Sequence, residues 1–128
     1  MRALIVDDSI LIRAYLRGLL DGMDVVCVEA AHGREALAVL RGAMSGDAEG
    51  FDLMLLDMHV PLLDGLECVR MVRALGLHPQ MKVMMVTTEF EDGFFREARE
   101  CGADAFMLKP FTPEDLREKI LMLTGCVA

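Results

Sequence analysis

The sequence predicts an α/β fold, a doubly wound parallel sheet of five strands built from five βα units in a row. Three observations carry that expectation. Five short apolar runs, at 3–6, 25–28, 53–56, 83–86 and 105–108, lack the polar alternation of a half-solvated strand, as parallel strands covered on both faces do. Amphipathic stretches separate the runs, which is the pattern of strands joined through crossover helices. The 128 residues are 54% hydrophobic, with a mean hydropathy of +0.37, enough apolar side chain to cover a sheet on both sides.

The elements follow in order. The first run stops at Asp7-Asp8, and Ile12, Leu16 and Leu19 then recur at helical spacing, with Asp8 or Ser9 available as the N-cap. The second run leads to a helix and then to a loop-rich patch at 42–50, where Ser45, Gly46 and Asp47 favour a turn. After the third run, Leu66, Val69 and Val72 mark one helical face. After the fourth, at 90–101, the pattern weakens and Phe94, Ala98 and Cys101 form the expected inward stripe. The last helix has a readable start in Thr112 as N-cap, Pro113, Glu114 and Asp115, and its apolar face is Leu116, Ile120 and Leu123. No internal repeat, low-complexity tract or linker interrupts the chain, so a single domain over 1–128 is expected.

Composition narrows the function. Thirteen basic and 21 acidic side chains leave a formal net charge of −8, which argues against sequence-independent binding to nucleic acid. No stretch is long enough to span a bilayer, and the opening apolar run breaks at Asp7-Asp8, unlike a signal-peptide core. Cys27, Cys68, Cys101 and Cys126 form no Cys-x-x-Cys pair and read as small buried hydrophobes in a reducing cytoplasm. His32, His59 and His78 lack zinc-ligand spacing. A cytoplasmic monomer is expected.

The polar residues fall where the runs stop: Asp7 and Asp8 after the first, Asp57 after the third, Thr87-Thr88 after the fourth, Lys109-Pro110 after the fifth. Ligands of open parallel sheets bind beyond the carboxyl ends of the strands, where strand order reverses. With the order 2-1-3-4-5, that crevice lies between strands one and three and gathers Asp7, Asp8 and Asp57, with Thr87 and Lys109 at one side. Packed carboxylates repel unless a cation joins them, and an all-oxygen set suits Mg²⁺. A lone carboxylate facing Mg²⁺, a hydroxyl and a lysine is suited to phosphoryl transfer. Taken singly, Asp8 or Ser9 reads as a helix cap and Lys109 as a solvated loop charge. Nucleotide-phosphate loops of the Gly-x-x-x-x-Gly-Lys or Gly-x-Gly-x-x-Gly type are missing.

With these residues in view, the chain resembles the receiver domain of two-component response regulators over essentially its whole length. The resemblance rests on Val6-Asp7-Asp8-Ser9, Leu56-Asp57 with Pro61 and Asp64-Gly65, Val86-Thr87-Thr88-Glu89 and Lys109-Pro110-Phe111. It implies a flavodoxin-like sheet and a protein that is not a conventional enzyme. Asp57 would be the phosphoacceptor for a sensor histidine kinase. Asp8 and Asp57 would hold Mg²⁺ directly with the backbone carbonyl of His59, Asp7 acting largely through water. Thr87 would move toward the phosphoryl group, Lys109 would contact it, and a cis Lys109-Pro110 bond would hold the ammonium inward. Thr87 and Phe106 would form the switch. Among receivers the chain looks most like stand-alone CheY-like chemotaxis regulators, which bind a downstream protein such as a flagellar-motor switch protein through the face of the fourth helix, fifth strand and fifth helix. It departs from them at His59, Val60, Thr88 and Phe106. His59 and Glu89, two residues beyond Asp57 and Thr87, are expected to tune phosphoryl hydrolysis. The rival expectation is a phosphorelay intermediate serving a histidine phosphotransfer protein; an aspartate-nucleophile phosphatase and a scaffold that has lost phosphorylation fit less well.

Overall fold

Every apolar run becomes a strand in the computed structural model, which describes residues 1–44, 50–57, 64–88 and 93–125. The order is β1 (Arg2–Val6), α1 (Ile10–Asp21), β2 (Val26–Ala30), α2 (Gly33–Met44), β3 (Leu53–Asp57), α3 (Gly65–Ala74), β4 (Lys82–Thr87), α4 (Phe94–Cys101), β5 (Ala105–Leu108) and α5 (Pro113–Thr124). All strands pair in parallel in the order β2-β1-β3-β4-β5, as expected.

Side chains alternate across the three inner strands and so divide the core in two. Leu4, Val6, Met54, Leu56, Val83 and Met85 face α2, α3 and α4. Ala3, Ile5, Leu53, Leu55, Met84 and Val86 face α1 and α5. An unbroken apolar run is what this two-sided burial requires, because consecutive residues enter different cores. The expectation of burial on both faces fails at the sheet edges. Val26 opens β2 at 62% exposure, and Ala105, Phe106 and Leu108 of β5 are only partly covered. β2 also begins one residue later than its apolar run, since the Val25 amide donates to the Leu20 carbonyl at 3.1 Å and closes the turn out of α1.

The helices start and pack largely as their sequences dictate. Ser9, not Asp8, caps α1, its hydroxyl accepting from the Ile12 amide at 3.2 Å. Leu16 and Leu20 are the buried residues of α1, with Ile12 and Leu19 at the margin. Leu66, Val69 and Val72 are buried on α3, and Phe94, Ala98 and Cys101 on α4. Thr112 and Asp115 cap α5 reciprocally, with Pro113 in its first turn. The patch at 42–50 begins inside α2, which runs to Met44, and 45–49 lie outside the described residues. No described helix is long and apolar enough to cross a membrane.

Cys27, Cys68 and Cys101 are free and buried; Cys126 lies outside the described residues. Burial is the main force pushing the Cys68 thiol up to about 12 and the Cys27 thiol up to about 11. Both therefore stay protonated at neutral and mildly alkaline pH, and thiolate is the reactive form. Iodoacetamide at mildly alkaline pH is expected to leave both unmodified in the native protein and to label them in urea, read by peptide mass; rapid native labelling would contradict the burial.

At the opposite end of the sheet from the polar strand ends, His78 is a buried polar tie. Its Nδ1 accepts from the Phe51 amide at 3.1 Å and its Nε2 lies 2.9 Å from the Leu40 carbonyl. One nitrogen accepting and the other facing an acceptor require a neutral ring protonated on Nε2. His78→Phe keeps the bulk but strands the Phe51 amide, so unfolding in urea is expected to show a loss of about 1–3 kcal/mol. An unchanged midpoint would show that the two bonds contribute nothing net.

Candidate functional site

The parallel register brings the polar strand ends to one edge of the sheet. Val6 pairs with Leu56 across β1 and β3, so Asp7 and Asp57 emerge side by side where the strand order reverses. Thr87 ends β4 one residue beyond Val86, the register partner of Asp57. It pairs with Leu108 of β5, and the next residue, Lys109, donates its amide to the Thr87 carbonyl at 2.8 Å. The Lys109-Pro110 bond is cis.

Ligand atoms of Asp7, Asp8 and Asp57 all lie within 4.8 Å of one another, with Asp7 buried, Asp57 half-buried and Asp8 exposed. The Asp7 carboxylate accepts from the Ser9 amide at 2.9 Å through Oδ1 and from Lys109 Nζ at 3.4 Å through Oδ2. The same ammonium stands 3.8 Å from Asp57 Oδ2. Thr87 is wholly buried. This oxygen-only donor set, graded from buried to exposed, fits a hard divalent cation such as Mg²⁺, which keeps water on its open side. Among the described residues no other cluster of this kind occurs. His59 and Glu89 lie outside the described residues.

Phe106 stands on β5 beside α4, half-buried, its ring 4.7 Å from that of Phe95 and 6.3 Å from that of Phe94. It lines a groove of about 590 Å³ between α4, β5 and α5, whose walls include Phe95, Arg99, Phe111, Lys119 and Met122. Two side chains near the acidic cluster escaped the sequence reading. Arg13 of α1 donates to the Asp7 carbonyl at 2.5 Å and to Glu29 of β2 at 3.1 Å. The available signal was Glu29 directly after an apolar strand run, with Arg13 and Arg17 one turn apart on α1.

The sequence pattern of the response regulator receiver domain matches residues 3–121. The chain is 36% identical over 127 residues to a chemotaxis protein CheY homolog of Campylobacter jejuni, covering 98% of this chain and 93% of that one. It is 34% identical over 123 residues to the transcriptional regulatory protein ResD of Bacillus subtilis, covering 94% of this chain but 48% of that one. Among solved structures, chemotaxis response regulator CheY4 of Vibrio cholerae superposes with a TM-score of 0.82 at 33% identity, covering 95% of this chain and 97% of that one.

Lys109 is the cation shared by the two less exposed carboxylates, and their mutual repulsion is the force it opposes. Lys109→Met keeps the aliphatic stem and removes the charge, so the unfolding free energy without divalent cations is expected to fall by about 2 kcal/mol. Mg²⁺ that binds the folded carboxylates is expected to narrow that gap by linkage. A gap that Mg²⁺ leaves untouched would show that the lysine acts through packing and not charge.

Proposed function

The chain belongs to the response regulator receiver domain family, and from that premise we propose that it is a phosphorylation-controlled binding switch. Asp57 accepts a phosphoryl group from a phosphohistidine of a sensor histidine kinase. The observation that carries the reading is the convergence of Asp7, Asp8 and Asp57 within 4.8 Å, with the Lys109 ammonium 3.8 Å from Asp57.

In the transfer, an Asp57 carboxylate oxygen forms the new P–O bond while the P–N bond breaks and its electron pair stays on the donor imidazole. Asp7, Asp8 and Asp57, with the His59 carbonyl, are the groups that would hold Mg²⁺, which when bound supplies positive charge to the phosphoryl oxygens. Lys109 adds a second positive charge from the β5 side. Thr87 offers a hydroxyl at the end of β4, one strand from Asp57. Asp7, buried and already engaged by Ser9 and Lys109, keeps the two neighbouring positions in register. His59 and Glu89 would flank the phosphoryl group and set how water reaches it. The chain catalyses only its own phosphorylation and dephosphorylation and is not a conventional enzyme.

Charge added at Asp57 biases an equilibrium between two packings. The path runs from Asp57 to Thr87 across the β3–β4 pair, then to β5, where Phe106 leans on Phe95 at the groove. An inward turn of Phe106 would change the wall presented by α4, β5 and α5 to a downstream protein. Similarity over nearly the full length of a CheY homolog supports a cytoplasmic role in chemotaxis. The match to about half of a transcriptional regulatory protein at similar identity means that the downstream partner has to be found by capture.

Incubation with a small phosphodonor and Mg²⁺ is expected to add one phosphoryl group to the wild type by intact mass, and none to Asp57→Asn or in excess chelator. Equal labelling of wild type and Asp57→Asn would remove Asp57 from its role. With beryllofluoride as the activating mimic, recovery of a flagellar-motor switch protein supports the chemotaxis assignment. Recovery of histidine phosphotransfer proteins alone would replace it with a phosphorelay.

A further inference from the structure

We propose that Arg13 is a positioning residue for the acidic cluster, bracing the Asp7–Asp8 turn against β2 so that its carboxylates hold a divalent cation together. The inference rests on the cation-binding reading of the cluster and concerns how that site is set.

Asp7 and Asp8 sit where β1 has ended and α1 has not begun, so ladder hydrogen bonds fix only part of the turn. The peptide before Asp7 is held by its amide, which donates to the Ala30 carbonyl of β2 at 3.2 Å. The peptide between Asp7 and Asp8 is held by its carbonyl, which accepts from the Arg13 guanidinium at 2.5 Å. The other side of that guanidinium donates to Glu29 Oε1 at 3.1 Å. Glu29 and Ala30 are neighbours on β2. The edge strand therefore fixes both peptides that flank Asp7, one directly and one through Arg13, although it contributes no carboxylate to the site. The orientation of the Asp7–Asp8 peptide sets the directions in which both side chains leave the backbone.

The fold has no evident need for this arrangement. Ser9 already caps α1, and Leu16, Leu20 and Cys27 already join α1 to the sheet. The Arg13 side chain is only 13% exposed, a costly place for a charge unless it is fully engaged. Arg17 provides the internal comparison. It also pairs with Glu29 and donates to the Cys27 carbonyl at 2.9 Å, yet its side chain is 46% exposed and its hydrogen bonds go to β2. Arg17 supports the same glutamate without reaching the acidic turn.

Charge alone and positioning predict opposite signs. Removing a cation that donates to the Asp7 carbonyl, beside the acidic cluster, would tighten a divalent ion if field strength were all that mattered. Loss of the brace would weaken it, because groups that orient ligands commonly change metal affinity by about tenfold or more when removed.

The experiment titrates Mg²⁺ calorimetrically into the full chain, wild type, Arg13→Ala and Arg17→Ala, with urea unfolding in chelator as the measure of stability. Arg13→Ala is expected to weaken Mg²⁺ by about tenfold, while Arg17→Ala leaves the affinity unchanged and loses a comparable part of the stability. Unchanged or tighter binding by Arg13→Ala overturns the proposal, as does equal weakening by both variants. If Arg13→Ala does not fold, Arg13→Gln takes its place, with the same expected loss, because its amide nitrogen stands where Nε stood and keeps at most the bond to Glu29, not the one to the Asp7 carbonyl. A wild type that binds no Mg²⁺ would instead overturn the cation-binding reading itself.

Discussion

Repulsion among Asp7, Asp8 and Asp57 is the constraint around which the upper end of this molecule is built. Three carboxylates with ligand atoms within 4.8 Å do not stay together by themselves; the surrounding structure has to hold them and supply positive charge. The backbone holds Asp7 and Asp57 because they continue two paired inner strands, where lateral spacing is fixed by the ladder. Charge comes from Lys109 on the β5 side, and the open face of exposed Asp8 leaves room for a hydrated divalent ion. A softer frame would relieve the repulsion by letting the strand ends part.

The apolar composition is therefore part of the site. β1, β3 and β4 put every other side chain into one of two cores, and most of those residues are wholly buried. Displacing the end of β1 from that of β3 would have to disturb packing on both faces at once, and close-packed interiors resist this. The helices divide unevenly, α1 and α5 on one face and α2, α3 and α4 on the other. β1 thus has helices of different connection on its two sides, and the crevice opens where the chain leaves β1 one way and β3 the other.

The acidic site was legible because it is a property of where apolar runs stop, on the condition of a strand order of 2-1-3-4-5, which the pairing of the strands bears out. A polar residue directly after a run must emerge at the end of its strand, so Asp7, Asp57, Thr87 and Lys109 could be placed without knowing any helix position. What stayed hidden depends on local backbone angles or on partners far apart in sequence. The choice of Ser9 over Asp8 as the cap turns on backbone angles at the turn. The tie from Arg13 to Glu29 turns on how α1 rotates over β2, which an apolar stripe fixes only to within a residue, as the burial of Leu20 in place of Leu19 shows. The edges of the sheet were misread because an uninterrupted apolar run looks alike in an inner strand and in an edge strand that has only one neighbour.

The same distinction bears on β5 and gives its exposure a consequence. An inner strand covered on both faces has no room for a side chain with two positions. β5 is an edge strand, and Phe106 lies against Phe95 at the rim of a groove instead of inside either core. The backbone there is still tied to the site, since Thr87 and Lys109 share a hydrogen bond one residue beyond the strand. Phe106 also carries no hydroxyl, so moving its ring inward would strip no polar group of water, a cost that a tyrosine in its place would have to meet with a new hydrogen bond. Incomplete burial at the edge thus leaves Phe106 half-covered on the strand next to β4, and the step from it to the acidic cluster is short because Thr87, at the end of β4, pairs with Leu108 of β5.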